Sequence, residues 1–292
     1  MGNESKGMIL GTLGVVSFGL TLPATRFIIP YFDPIFIGLG RAVMASIVAA
    51  VLLIATKQKR PNQQQLIQLL GVAAGVVVGF PVLSAWAMQT VPASHGGVVL
   101  GLLPLATAMA AALFANEKPS AGFWIFAVIG STIVITFSLL QGLGSLQSGD
   151  FLLLGAIVSA ASGYALGGKL SKVIGGWQVI CWALVISFPF IIVPAWLQVP
   201  QAAIESLPLN VLLSFLYLAL VSQLFGFFLW NKGLALGGIA RVSQTQLLQP
   251  IVTLVASALL LNEIVDLQTV IFTLLVVGSV AIGKQMPVLE RS

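Results

Sequence analysis

Charge is what this chain has least of. Of its 292 residues only 7% are Asp, Glu, Lys or Arg, against 58% from the set AVILMFWYC. Its mean hydropathy is +1.07. A soluble domain carries about a quarter charged residues, so 13 basic and 8 acidic side chains cannot give this surface a wettable coat. Lipid must be its solvent, which excludes a soluble enzyme, a disordered chain and a nucleic-acid binder despite the net charge of +5. Cysteine and histidine are nearly missing as well. Cys181 has no second cysteine to pair with, and the lone His95 with one remote sulfur cannot build a zinc site. No metal and no other cofactor is expected.

What is abundant is apolar sequence in runs of membrane length, about 20 residues each. Ten such runs are read, ending at polar or Pro/Gly breaks. The first half holds Met8–Ile28, Pro34–Thr56, Leu66–Gln89, Ala93–Ala115 and Ser120–Leu140. The second holds Phe151–Lys172, Trp177–Leu197, Leu209–Asn231, Ile239–Leu261 and Leu267–Met286. The joins are too short for an extramembrane domain. The first run ends in Pro23-Ala24-Thr25-Arg26 without a small-x-small cleavage site, so it is expected to stay as a span. An N-terminus in the cytoplasm puts 11 of the 13 Lys and Arg on the inner side, all but Arg26 and Arg41. That bias predicts both termini inside a cell (inner) membrane. Asp33, Asp150, Glu205, Glu263 and Asp266 then fall outside.

Two segments align at a constant offset of 146: Pro104 with Pro250, Thr107 with Thr253, Asn116 with Asn262, Glu117 with Glu263. Each is an apolar helix with an internal proline, ending in Asn-Glu. Five spans per half is an odd number, so the second half is inverted relative to the first. The predicted fold is an all-α membrane protein of ten helices, with one repeat in residues 1–145 and its inverted mate in 146–292. Inverted repeats are how many secondary transporters are built, with substrate held between the halves near the midplane.

With these residues in view, the chain resembles the EamA type of the drug/metabolite transporter superfamily. The resemblance rests on Phe18-Gly19, Arg41-Ala42 and the two Pro-x12-Glu units, Pro104 to Glu117 and Pro250 to Glu263. It implies an inner-membrane carrier, with export of amino acids and other small metabolites common among relatives. Members usually have Trp-Gly where this chain has Phe18-Gly19, and that motif has no clear partner in the sixth span.

Other motifs lead nowhere chemical. Gly278 to Gln285 approaches a P-loop but lacks the hydroxyl that would hold magnesium and lies in a membrane run, so no ATP is expected to bind. Ser94 and His95 are adjacent on a helix and point about 100° apart, so they make no catalytic pair. Ser94 is read as the cap of the fourth span and His95 as a headgroup-level residue. Arg41, about seven residues into the second span, must snorkel outward or brace a helix end, or else lie by a cavity where it meets an anionic group or gate. Recurring glycines at four-residue spacing, among them Gly71, Gly75, Gly79, Gly233 and Gly237, read as close helix packing.

The ninth span carries a polar stripe of Ser243, Gln246, Gln249, Thr253 and Ser257 on one face. Cavity lining and interhelical hydrogen bonding are both open readings for its two amides. Ser17, Thr21 and Thr25 form a similar stripe on the first span. Tyr164, Tyr217, Gln223, Trp230 and Trp86 are further cavity candidates, while Trp177 and Trp196 read as interfacial anchors. Pro104 and Pro250 are candidate hinges, and Glu117 and Glu263 candidate latches on opposite sides. The expected partners are a small amphipathic solute and membrane lipid; homodimerisation is left open. No acid lies in mid-span, which favours facilitated flux or exchange over proton coupling. Rival solutes are drugs, sugars and nucleotide-sugars; an intramembrane enzyme or a cavity-free scaffold subunit is the reading from another class.

Overall fold

The computed structural model describes residues 2–115, 117–141, 145–199, 207–283 and 288–290. Eight helical segments are long and apolar enough to cross a membrane: Asn3–Ile28, Phe36–Ala55, Gln63–Ala87, Ala93–Phe114, Trp124–Gln141, Ser148–Ile174, Gly176–Leu197 and Leu209–Gly237. Two shorter apolar helices, Thr245–Leu261 and Leu267–Ile282, complete ten. They are called spans one to ten below. A three-residue ladder pairs Glu117–Pro119 with Val288–Glu290. Asn116, Glu205, Lys284, Arg291 and the Glu117 side chain lie outside the described part.

The two repeats share their boundaries. Spans three and eight start at Gln63 and Leu209, span four starts at Ala93 where span nine's first helix starts at Ile239, and spans one and six end at Ile28 and Ile174. All three pairs keep the offset of 146. Helices Leu103–Ala115 and Gln249–Leu261 match at both ends. Pro104 and Pro250 stand second in these helices, where a missing N–H costs no helical hydrogen bond. Each proline therefore restarts a helix after a break: a turn at Gly101-Leu102 in span four, and the 3-10 stretch Ser243–Leu248 in span nine.

Four further interruptions sit in the other inner spans. Span one breaks at Leu20, between Asn3–Gly19 and Thr21–Ile28. Spans two, three and eight contain π-helical stretches at Phe36–Gly40, Ala73–Gly79 and Tyr217–Phe225. Irregular backbone at membrane depth survives only where protein or a polar cavity covers it. Large apolar side chains such as Ile54, Leu113, Phe190 and Leu259 are exposed on the lipid side. Inside, small residues bring helices together: a Cβ on Gly7 would stand 2.6 Å from the Gly237 nitrogen, so spans one and eight meet backbone to backbone.

Candidate functional site

Four aromatic rings meet where the halves join. Phe18 of span one and Tyr164 of span six stack with centroids 6.3 Å apart and planes 16° apart. These two positions are 146 residues apart, so the repeats' own mates face each other across the axis relating the halves. Phe227 lies 4.9 Å from Phe18 and 6.0 Å from Tyr164, and Trp230 lies 5.4 Å from Tyr164. Trp230 is fully buried, and its Nε1 donor has no hydrogen-bond partner. An unpaired buried donor costs about 1–3 kcal/mol.

Span nine adds further unpaired buried groups alongside span one. All five stripe residues are buried. In a 3-10 segment positions three apart eclipse one another, so Ser243 and Gln246 line up and Gln249 continues the row. Both amide atoms of Gln246, Oε1 of Gln249 and Oγ of Ser257 are buried without partners. Span one fixes their level. Gly11 packs against Val242 and Thr245, Gly14 against Trp230, and Gly19 against the Gln249 carbonyl. The amides therefore lie along span one over the same few turns as the aromatic cluster.

The break in span one has a second effect. Helix ends leave carbonyls open, and two in the last turn before Leu20 are taken by other spans. Thr253 Oγ1 donates to the Gly19 carbonyl at 2.7 Å and Tyr217 donates to the Ser17 carbonyl at 2.5 Å. Thr21 and Ser222 share a 2.8 Å hydrogen bond beyond the break. Span one is thus held to spans eight and nine through its own discontinuity.

Arg41 is only 2% exposed and does not snorkel. Its Nε and Nη2 both donate to Gln223 Oε1, at 3.0 and 2.7 Å, and Gln223 Nε2 donates to the Val76 carbonyl at 3.0 Å. The three π-helical stretches converge on this network. Arg41 directly follows the first, Val76 lies in the second and Gln223 in the third. Such stretches are rare and concentrate at functional sites. Arg41 is therefore a cross-brace of spans two, three and eight, with two of its donors accepted by one neutral amide oxygen.

A model of the EamA-like transporter family matches this chain twice, over residues 5–139 and 147–282. The chain belongs to that family. Its resemblance to the uncharacterized transporter YdeK of Bacillus subtilis (strain 168) is 43% identity over 98% of this chain and 99% of the relative. A probable terminal-alkyne amino-acid exporter of Streptantibioticus cattleyicolor is 23% identical over 89% of this chain and 87% of its own. A solved crystal structure aligns with 96% of both chains at a TM-score of 0.68 and 14% identity, which bears on fold alone.

In this EamA-like transporter two acids tie elements together on the face away from the N-terminus. Glu263, just past span nine, accepts from the Ala93 and Ser94 amides through Oε1 and Oε2, each at 2.9 Å. A carboxylate there satisfies open amides and meets the positive end of the helix. Asp150, expected on the outer side of the membrane, lies in the first turn of span six with its side chain buried. It shares a 2.7 Å hydrogen bond with His95 Nε2 and accepts from the Gln147 amide at 2.8 Å. His95 is likewise buried, in the first turn of span four and against Phe137. Ser94 is not the cap of span four: Pro92 holds that position, and the capping carboxylate comes from Glu263. The apolar setting drives these changes, because a buried carboxylate must find donors.

The remaining candidates divide. Trp86 is 37% exposed and stands apart from the aromatic cluster. Trp196 is exposed as an interfacial anchor would be, whereas Trp177 packs on Phe228. Arg26 donates to the Met88 carbonyl, tying span one to the end of span three. Ser17 bonds within its own helix, to the Gly14 carbonyl. Phe18 and Phe227 belong to the cluster although Phe18 was read only as a family motif and Phe227 was not singled out; the offset that pairs Phe18 with Tyr164 was the available signal. A crevice of about 410 Å³ opens between spans one and eight on the side away from the N-terminus, reaching from Phe27 to Tyr217. Tyr217 lines it and bonds to the Ser17 carbonyl, one residue from Phe18.

Proposed function

We propose that this transporter exports small amphipathic metabolites, with amino acids and their close relatives as the leading class, by alternating access. The observation that carries this reading is the set of buried, unpartnered polar atoms of Trp230, Gln246, Gln249 and Ser257 beside an aromatic cluster. A lipid-embedded protein has every reason to eliminate such groups. A solute with a polar head and an apolar body would meet both halves of the wall, stacking on the rings and bonding to the amides. The name of the 23% identical relative, an amino-acid exporter, agrees in class and direction.

In the proposed cycle the halves rock about Phe18 and Tyr164, with the restarts at Pro104 and Pro250 as hinges. Closure away from the N-terminus rests on Glu263 and on the Tyr217–Ser17 bond, and opening there releases both. The Lys and Arg bias supports a reading in which the N-terminal face lies in the cytoplasm of an inner membrane. Arg41 is engaged by Gln223, so the deep cation a nucleotide-sugar would seek is already occupied. Asp150 and His95 are occupied by each other, in keeping with exchange or facilitated flux.

The test is counterflow of a labelled amino-acid panel in liposomes containing the purified protein, beside a working control carrier. Uptake driven by unlabelled internal solute supports the class. Silence across the panel while drugs or sugars exchange would overturn it.

A further inference from the structure

On the N-terminal face a cavity of about 520 Å³ lies between the link joining spans two and three and the start of span seven. Lys57, Lys59 and Arg60 line it, and none of its lining residues is acidic. No ion pair of these three cations occurs among the described residues. Nearby polar groups fold the link without using the cations: Asn62 and Gln65 cap each other reciprocally at 2.9 Å.

The lysine at 57 stands where glycine is usual. Span two ends in a Schellman turn, with the Gln58 amide donating to the Leu53 carbonyl and the Lys57 amide to the Ile54 carbonyl, each at 3.0 Å. The turn requires Lys57 at φ 51°, a conformation that L side chains resist. A cation is kept there against the backbone's preference.

The opposite wall of the cavity is apolar. Val173 and Ile174 end span six and Trp182 comes from span seven. Between wall and cations, Gln178 donates to Gln58 Oε1 at 3.2 Å, leaving its own buried Oε1 without a partner. Three donor cations, one free acceptor and an apolar shelf at the membrane edge form a composite site.

We propose that this cavity binds the headgroup of an anionic phospholipid carrying a hydroxyl, of the phosphatidylglycerol type. The phosphate meets Lys57, Lys59 and Arg60, a glycerol hydroxyl donates to Gln178 Oε1 once that side chain turns the buried oxygen into the cavity it lines, and an acyl chain lies along Val173 and Trp182. Basic pockets between spans at a membrane face recognise such lipids. The site is independent of the transported solute.

Native mass spectrometry of the detergent-purified full chain tests it, with phosphatidylglycerol, phosphatidylethanolamine and inorganic phosphate as separate probes. Wild type is expected to retain phosphatidylglycerol over phosphatidylethanolamine. Retention is expected to fall about fivefold for each cation removed, first in Lys57→Gly and further in Lys57→Gly/Lys59→Gln/Arg60→Gln. Lys57→Gly suits the turn better than the native residue, so lost lipid with an unchanged or higher melting temperature cannot be assigned to misfolding. Equal retention of the two lipids, or an unaffected triple variant, overturns the proposal. Displacement of the lipid by millimolar inorganic phosphate would assign the cations to a soluble anion and overturn the lipid reading.

Discussion

Replacing Gln223 by leucine tests the Arg41 brace most severely. The side chains are similar in size, so the change removes hydrogen bonding with little loss of volume. Arg41 would lose the acceptor for both its Nε and Nη2 donors, and the Val76 carbonyl would lose its donor. Leaving a buried charged donor without its acceptor costs more than the roughly 1–3 kcal/mol of a neutral group, about 3–5 kcal/mol, because the charge is left unsatisfied. For a chain of this size each kcal/mol shifts melting by about 2 °C, so Gln223→Leu should melt roughly 6–10 °C below wild type. Arg41→Met leaves only a neutral amide unpaired and should cost about 1–3 kcal/mol. The double variant removes charge and acceptor together and should recover much of the loss, giving a coupling energy above about 1.5 kcal/mol. Thermal melts in one detergent provide all four corners of the cycle. A drop under about 2 °C in Gln223→Leu, or a double variant no better than that single one, would refute the brace.

Glu263→Gln keeps one acceptor of two and loses the charge facing the helix end, so it should cost about 1–2 kcal/mol and lower the melting temperature by a few degrees. Tyr217→Phe removes the bond to the Ser17 carbonyl and should favour the open outer crevice. A cysteine placed at Ser17 should then react faster with a membrane-impermeant maleimide, while the buried Cys181 stays silent; an unchanged rate would take Tyr217 out of the closure. Asp266 accepts from the Thr269 amide at the start of span ten, and hydrogen bonding to Thr269 holds its carboxyl below the ordinary 3.8. Its folded-state value is depressed, so its small stabilisation is complete above the unfolded value and fades as pH falls through the folded one. Wild type and Asp266→Ala should therefore differ in melting at neutral pH and converge once the pH falls below the depressed folded value.

Much of the architecture was legible in the residues. Hydropathy alone located the spans, and Pro104/Pro250 with Glu117/Glu263 revealed an offset that the helix boundaries share. The interruptions were harder to see. No composition signal marks a π-helical stretch in Ala73–Gly79 or Tyr217–Phe225, because these form where Arg41, Gln223 and Val76 meet in space. Asp150 looked like a loop acid because it precedes its apolar run, yet the helix starts two residues earlier and carries the side chain inward to His95. Trp86 could not be sorted from its residue type, since indoles serve lipid edges and binding sites equally well. The stripe on span nine was readable from spacing. Which of its members lack partners depends on neighbours in span one that no local pattern encodes.

The central claim is that the unpaired amide of Gln246 is kept for a solute and not for the fold. Gln246→Leu should be measured for counterflow in liposomes and for melting temperature on the same preparation. Both amide atoms are buried and unpartnered, and removing an unsatisfied buried polar group is worth about 1–3 kcal/mol. We expect counterflow of the exchanged solute to fall at least about tenfold, while the melting temperature holds or rises by roughly 2–6 °C. Undiminished counterflow with a lowered melting temperature would make Gln246 a structural residue and contradict the account.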